Sequence, residues 1–245
     1  MTTRIVWTEI KLLGREPITL LMSLGFPALL LVLLAGSFGN EPDPEMGGIG
    51  GVDFYVPVYA AAAIAVMGLL GVPTHLAAYR ERGVMRRFRA AGVPAWKLAG
   101  AQIVVTAVVA VVAAGLMIAI GFGGYELNAP SSTAGVVAGF LTGTLAFAAL
   151  GVLLGTLLPT ARAAQGVGLL LFFGLFFVAG GGPPPSLMPD ALNTAVDFTP
   201  MGPLMDAVGD PWHGDGLNLR AMAFLAGTAA VASLLAVRTL SGPDD

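Results

Sequence analysis

The sequence contains no cysteine and few charged residues, which make up 11% of its 245 residues against about 25% in soluble domains. Without cysteine, disulfides, thiolate chemistry and cysteine-ligated metals are excluded. The two lysines, Lys11 and Lys97, are each followed by leucine, so the sequence has no G-x-x-x-x-G-K-[ST] loop for binding phosphates. Any ATP-driven process in which this chain takes part therefore needs its ATPase on another chain.

Long apolar runs dominate the chain, since 56% of its residues are hydrophobic. A bilayer core about 30 Å thick needs about 20 apolar residues per helix, whereas barrel strands are about 9–11 residues long and alternate in polarity. No charged residue lies in the interior of any run, as the high cost of a charge at mid-bilayer requires. We predict an all-α membrane protein with six transmembrane helices, at about 18–38, 55–78, 98–122, 133–158, 163–181 and 218–238.

The distribution of basic residues predicts the orientation, because short cytoplasmic loops carry an excess of Lys and Arg. With the N-terminus inside, eleven of the twelve basic residues fall on the cytoplasmic side, and only Arg220 falls outside, at the start of the sixth run. The opposite loops are acidic, with Glu41, Glu126 and Asp190 among their residues. Both termini are therefore predicted to be cytoplasmic.

Residues 3–16 have the pattern of an amphipathic helix that precedes the first span. At 100° per residue, one stripe carries Arg4, Lys11 and Arg15, and the opposite side carries Ile10 and Leu13. A basic stripe that faces an apolar one suits a helix lying in the headgroup plane. Two alternatives stay open: a charged anchor that only fixes the topology, and a surface that docks a soluble partner.

The loop at 79–97 is the most informative cytoplasmic segment. Gly83 permits a sharp departure from the second helix, residues 84–91 form a short helix, and Gly92 and Pro94 end it. Fixing the membrane topology would require only a few positive charges in this loop. It would not require glycines at both ends of a short helix with an arginine cluster between them. The short helix is predicted to have an apolar face and an arginine face, formed by Val84, Phe88 and Ala91 and by Arg86, Arg87 and Arg89.

This loop resembles the Arg-Glu-x-Gly-x-x-Arg-Arg loop of type-2 ABC transporter permeases, the membrane subunits of exporters in the drug-resistance and natural-product group. The resemblance implies that the loop is a coupling helix seated in a cleft of a separate ATPase. It implies that the helix at 3–16 is the interface helix beside it. The coupling residues would be Arg80, Glu81, Arg82, Gly83, Arg86, Arg87, Phe88 and Arg89.

A second block, at 183–216, mixes apolar residues with Pro and Asp, which suits re-entrant or interfacial backbone better than a loop in water. Its Leu-Met-Pro-x-x-Leu and Thr-Pro-Met-Gly-Pro-Leu-Met-Asp-Ala segments resemble the short hairpin that lids the exit in the same permeases. The external gate residues implied by this resemblance are Leu187, Pro189, Leu192, Pro200, Leu204 and Asp206. No role is evident for the acidic, glycine-rich loop at 39–54.

The resemblance implies one permease domain over residues 1–245, acting as the membrane subunit of an ATP-driven exporter in a bacterial-type plasma membrane. It implies no catalytic site and no cofactor on this chain, with ATP and Mg²⁺ held by a P-loop ATPase subunit. A second permease copy or a paralogue, together with membrane lipid, would complete the assembly, and no nucleic acid is involved. Spans without charge favour amphiphilic or apolar cargo.

Two other classes of function compete with the exporter. A membrane substrate-binding subunit of a vitamin or metal importer also has about six helices and uses a separate ATPase. The basic loop at 80–97 and the Pro-rich hairpin argue against it. An intramembrane enzyme would need His, Asp, Glu or metal ligands inside the bilayer, and the interiors of the predicted spans lack them, since His75 lies near a membrane face.

Two further features concern how the helices pack. Gly135, Gly139 and Gly143 recur every four residues, and Gly151 and Gly155 continue the step. Such a ridge lets backbones approach closely, and packing within the chain is favoured over a dimer face. Separately, a proline at 73, near the end of the second run, predicts a kink there.

Overall fold

The computed structural model describes residues 7–8, 11–12, 14, 17–92 and 95–240. Six of the described helices are long and apolar enough to cross a membrane, which confirms the predicted all-α architecture. We call them spans 1 to 6: Pro17–Phe38, Gly51–Glu81, Gly100–Gly124, Thr133–Leu157, Ala161–Gly181 and Leu219–Thr239. Spans 3 and 6 belong to slightly longer helices, Ala95–Gly124 and Leu219–Leu240.

Shorter elements connect the spans. A helix that we call the inner helix, Val84–Ala90, follows span 2. The segment at 183–216, which we call the outer hairpin, contains a 3₁₀ turn, Pro185–Leu187, a short helix, Asp190–Val196, and a long helix, Met201–His213. Between spans 1 and 2, strand β1 (Pro42–Asp43) pairs antiparallel with β2 (Ile49–Gly50) around a 3₁₀ turn, Pro44–Met46.

Span 2 lies at the centre of the bundle. The apolar window of this span is completely buried, whereas half or less of the corresponding window is buried in each of the other five. Those five helices expose large apolar side chains such as Leu170, which is 76% exposed, and Leu234, which is 66% exposed. Apolar surface on this scale needs lipid to cover it.

The glycine ridge of span 4 packs within the chain, as favoured from the sequence. A Cβ atom at Gly139 would collide with the backbone carbonyl of Ala207 in the long helix of the outer hairpin. Further along the ridge, a Cβ at Gly151 would meet the backbone carbonyl of Gly68 in span 2. Because glycine has no Cβ, two helix backbones approach span 4 at these points.

Span 2 changes to π-helical geometry at Met67–Gly71, which ends two residues before Pro73. Proline lacks an N–H and its ring clashes with the carbonyl of the residue four positions earlier, here Leu69. A π turn adds a residue to the helix and gives the ring room. The Leu69 carbonyl lies against the backbone of span 5, where a Cβ at Gly168 would collide with it.

Most of the predicted interface helix, including Arg4 and Arg15, lies outside the described residues. Of its predicted basic stripe the structure describes Lys11. Residues 7–8 and 11–12 are helical. The Lys11 ammonium lies 5.3 Å from the ring centroid of Trp7, a cation–π contact one helical turn apart.

Candidate functional site

The inner helix lies at the end of the bundle that carries most of the arginines, which we call the basic end. The helix runs from Val84 to Ala90, between two glycines with positive φ angles, Gly83 (66°) and Gly92 (70°). L side chains are strained at such angles, so glycine is needed at both turns. The prediction from the sequence, 84–91 with glycines at both ends, agrees with this to within one residue.

One face of the inner helix packs against the bundle. Phe88 and Met85 are half-buried and contact a small apolar cluster that includes Leu76 of span 2. The ring of Phe88 meets Tyr79 edge-on, with centroids 6.4 Å apart. The opposite face is exposed at Arg86 and Arg87. Phe88 therefore positions the helix, and these two arginines are presented to the outside.

Arg80, near the end of span 2, binds the last turn of span 4. Its Nη1 donates to the carbonyl oxygens of Gly155 at 3.4 Å and Leu158 at 3.5 Å, and more closely to that of Thr156. The last carbonyls of a helix lack donors within the helix and form the negative end of its dipole. A guanidinium is suited to both roles, so Arg80 stabilises the end of span 4.

Glu81 binds the start of span 5. Its Oε2 accepts a hydrogen bond of 3.2 Å from the backbone N–H of Ala161, the first residue of that helix. Thr160 caps the same helix, with Oγ1 accepting from Ala163 at 3.1 Å. A carboxylate and a threonine hydroxyl are both favourable at a helix N-terminus. Arg80 and Glu81 together hold the turn between spans 4 and 5, and we call this pair the clasp.

Span 6 joins the same region through a contact that the sequence did not suggest. The hydroxyl of Thr239 donates to that of Thr156 at 2.9 Å, so the turn held by Arg80 also touches the last span. The predicted coupling residues thus have different roles: Arg80 and Glu81 act within the bundle, Phe88 packs, and Arg82, Arg86 and Arg87 are exposed. Gly83 forms the turn before the inner helix, and the side chain of Arg89 lies outside the part of the chain that the structure describes.

At the opposite, acidic end, Asp53 is the centre of a polar network that sequence reasoning missed. Its carboxylate accepts from the backbone N–H of Asn128 at 2.8 Å and from the side-chain amide at 2.6 Å. Its N–H donates to Oδ1 of Asn40 at 3.0 Å, and its carbonyl lies 3.1 Å from Nε2 of His213. Four separate segments meet at this one residue.

Asp53 was expected in the external loop, since span 2 was predicted to begin at 55. The helix begins at Gly51, so Asp53 lies in its first turn and is only 8% exposed. The hydrogen bonds satisfy the carboxylate and allow its burial. The loop at 39–54, which had no predicted role, contributes Asn40, and its amide also donates to the carbonyl of Glu126 at 2.9 Å.

The outer hairpin divides the predicted gate residues into two groups. On its first limb Leu187 and Leu192 are 57% and 42% exposed and Pro189 is exposed too. On its second limb the long helix is mostly buried against spans 2, 4 and 6. There Leu204 is fully buried, Pro200 is half-buried, and Asp206 opens to the surface.

Two tyrosines of span 2 hold the point where span 5 turns into the hairpin. The hydroxyl of Tyr55 donates to the carbonyl of Gly182 at 2.8 Å, and that of Tyr59 to the carbonyl of Gly181 at 3.3 Å. Gly180 has a φ of 88° here, so the chain bends where only glycine is unstrained. Span 2 therefore contacts span 5 through polar groups at both ends, by the clasp and by these tyrosines.

Comparison with known proteins agrees with this geometry. The family described as ABC-2 family transporter protein matches residues 45–238, which extend from the loop before span 2 to the end of span 6. The chain belongs to the ABC-2 family. No individual curated protein matches it. In this ABC-2 protein the inner helix, the clasp, the Asp53 network and the outer hairpin lie within the matched residues, apart from Asn40. As a member of the family, the chain is a membrane transport subunit.

Proposed function

We propose that this chain is the permease subunit of an ATP-driven exporter that moves amphiphilic or apolar small molecules outward. The observation that carries the proposal is the inner helix, which presents Arg86 and Arg87 at its exposed face while its other face is fixed to the transmembrane bundle. The sequence lacks a phosphate-binding loop, so ATP and Mg²⁺ belong to a separate P-loop ATPase subunit. The inner helix is where that subunit docks.

The basic end faces the cytoplasm and the acidic end faces outward, in a bacterial-type plasma membrane. This orientation follows the excess of Lys and Arg in the short loops at the basic end. The outer hairpin is then on the external side, at the exit of the pathway. Two permease chains, identical or paralogous, complete the assembly with two ATPase subunits.

The clasp can transmit movement of the inner helix to spans 4 and 5. When the ATPase pushes on the inner helix, the end of span 2 moves, and Arg80 and Glu81 carry spans 4 and 5 with it. The far end of span 5 is bound by Tyr55 and Tyr59 at the carbonyls of Gly182 and Gly181, where the outer hairpin begins. Motion at the basic end thereby reaches the exit.

The cargo class follows from the charges of the spans. Their charged residues, including Asp53, Arg80 and Arg220, lie within about two turns of the ends. A pathway between such helices offers no fixed charge to compensate an ion at mid-bilayer. Apolar and amphiphilic molecules need no such compensation.

The proposal is tested by co-expressing the chain with a candidate P-loop ATPase subunit and measuring whether the two co-purify. The charge-reversed double variant Arg86→Glu/Arg87→Glu is expected to lose ATPase co-purification and cargo efflux from cells or vesicles. Arg162→Glu, an exposed arginine at the same end but outside the inner helix, serves as the matched control and should retain both. Full ATPase binding and efflux by the double variant would overturn the docking assignment.

A further inference from the structure

A pocket lined by charged and apolar residues lies at the acidic end, between the outer hairpin and the start of span 6. Its volume is about 190 Å³. Two carboxylates and one guanidinium line it, together with two phenylalanines. The lining residues are Asp197, Phe198, Pro203, Asp206, Asn218, Arg220, Ala221 and Phe224.

The charges are divided between the two walls of the pocket. The carboxylates of Asp197 and Asp206 belong to the hairpin, and the guanidinium of Arg220 belongs to span 6. Asn218 is engaged in the wall itself: its Nδ2 donates to Asp210 at 2.8 Å, and its Oδ1 accepts from the N–H of Ala221 at 2.9 Å. A ligand in this pocket would therefore contact two negative groups on one side and one positive group on the other.

The carboxylate of Asp206 has an environment that favours a bound cation. Burial by the surrounding protein, together with the charges of Asp210 and Asp197 and partly offset by Arg220, raises its pKa to about 6. The side chain is nevertheless exposed at the surface, because it opens into the pocket. A positive group placed in the pocket would relieve the repulsion between the carboxylates.

An apolar groove of about 440 Å³ continues from this pocket along spans 4 and 6. Phe224 lines both cavities. The hydroxyl of Thr228 donates to the carbonyl of Phe224 at 2.9 Å, so this polar group is satisfied within its own helix. The groove is lined by Leu150, Leu153, Phe224, Gly227, Thr228, Val231 and Ala232.

Along span 6, the two cavities together extend over about the length of one membrane leaflet. Eleven residues separate Arg220 from Val231 on the same helix, or roughly 16 Å at 1.5 Å per residue. Half of a bilayer core is about 15 Å thick. The pocket therefore lies at headgroup level. Along span 6 the groove reaches about the middle of the bilayer, and on span 4 it continues to Leu153, four residues before that helix ends.

We propose that pocket and groove together bind one phospholipid of the outer leaflet with an ethanolamine headgroup. Arg220 pairs with the lipid phosphate, Asp197 and Asp206 accept hydrogen bonds from its ammonium, and one acyl chain lies along the groove. A primary ammonium donates hydrogen bonds to carboxylates, which a choline headgroup cannot do. Glycerol headgroups lack the positive charge, and free phosphate lacks both the ammonium and the chain.

Native mass spectrometry of the full chain in detergent tests the headgroup. With dioleoyl phosphatidylethanolamine and dioleoyl phosphatidylglycerol, which have the same chains, we expect one ethanolamine lipid per protein and an affinity about tenfold higher than for the glycerol lipid, as for one charge-assisted contact. Asp206→Asn should remove most of this preference, and Arg220→Glu should weaken both lipids. The matched control Asp190→Asn changes an acid of the same hairpin outside the pocket and should leave the preference intact.

Filling the groove tests the acyl chain. A Cβ at Gly227 would meet no described atom within 4 Å, so Gly227→Leu is tolerated by the fold and occupies the groove. We expect it to abolish retention of the ethanolamine lipid. Gly115→Leu, at an equally open position on span 3, is the matched control.

Three outcomes would overturn the assignment. They are equal binding of the two lipids, an unchanged preference in Asp206→Asn, and unchanged retention in Gly227→Leu. Displacement of the lipid by a transported amphiphile, without any preference between lipids, would assign the pocket to cargo instead. These measurements need neither ATP nor the ATPase, so their failure is distinguishable from failure of the proposed export function.

Discussion

Arg80 and Glu81 are adjacent in the chain, yet they bind the opposite ends of one turn: the guanidinium caps the end of span 4, and the carboxylate caps the start of span 5. Each charge meets the helix-dipole end of opposite sign. The pair therefore joins span 2 to two other spans at the base of the inner helix. The Arg-Glu sequence therefore has a structural role within the chain. This role does not depend on what binds the exposed arginines of the inner helix.

The clasp and the docking surface are expected to give different phenotypes. Glu81→Lys places a cation at the N-terminus of span 5, where the helix dipole disfavours it, but leaves Arg86 and Arg87 exposed. We expect the ATPase to co-purify normally while cargo transported per ATP hydrolysed falls at least about tenfold, equivalent to about 1.4 kcal/mol of coupling. Measurement of both rates in proteoliposomes checks this. Normal coupling in Glu81→Lys would remove the clasp from the mechanism.

The network around Asp53 is expected to stabilise the acidic end. Asp53→Ala removes the acceptor of two hydrogen bonds from Asn128, and each bond to a charged group contributes about 1.5–3 kcal/mol. The midpoint of thermal unfolding in detergent, followed by tryptophan fluorescence, should fall by several degrees. Glu41→Ala, an exposed acid in the loop between spans 1 and 2, should change it little, and an equal fall in both variants would contradict the network's role.

Asp206 should make stability depend on pH. Its pKa in the fold is about 6, above the ordinary value of 3.8, because of burial and of the charges of Asp210 and Asp197, partly offset by Arg220. Between these two values the unfolded chain is ionised and the folded chain is not, so stability falls as pH rises from about 4 to 6.

Asp206→Asn should therefore unfold at a higher temperature than the wild type at pH 8, and the difference should vanish near pH 4. Thermal unfolding in detergent without phosphatidylethanolamine measures this. Asp190→Asn supplies the comparison for loss of one charge from the hairpin. A constant difference across the pH range would exclude the titration of Asp206 as its cause.

The contact between span 4 and the outer hairpin should be intolerant of a single methyl group. Gly139→Ala would drive a Cβ into the carbonyl of Ala207, and overpacking typically costs about 1–3 kcal/mol. The expected result is a lower unfolding temperature and a lower yield of folded protein. Gly115→Ala, which faces open space on span 3, is the control. Equal stability of the two variants would show that the hairpin does not pack on span 4 as described.

The spans could be predicted from the sequence because hydrophobicity is a local property: each run of about 20 apolar residues specifies its own helix. The inner helix could be predicted for a similar reason, since Gly83 and Gly92 are required at its ends. The glycine ridge also predicted which side of span 4 other helices contact. It did not predict which helices these are.

The polar contacts could not be predicted, because each joins residues far apart in the sequence. Glu81 meets Ala161, and Asp53 meets Asn128 and His213. Nothing near Asp53 in the sequence distinguishes it from the other acids of its loop. A sequence signal did exist at Thr160, which precedes an apolar helix as an N-cap, and it marked the turn that the clasp holds.

The complete burial of the apolar window of span 2 separates this part of the helix from the bilayer. Lipid contacts the outer surfaces of the other five spans, so a change in bilayer thickness tilts or stretches those helices and reaches span 2 only through them. The helix that ends at Glu81 is thus affected by hydrophobic mismatch only indirectly. Any dependence of transport on the acyl-chain length of the host membrane must therefore originate in the peripheral spans.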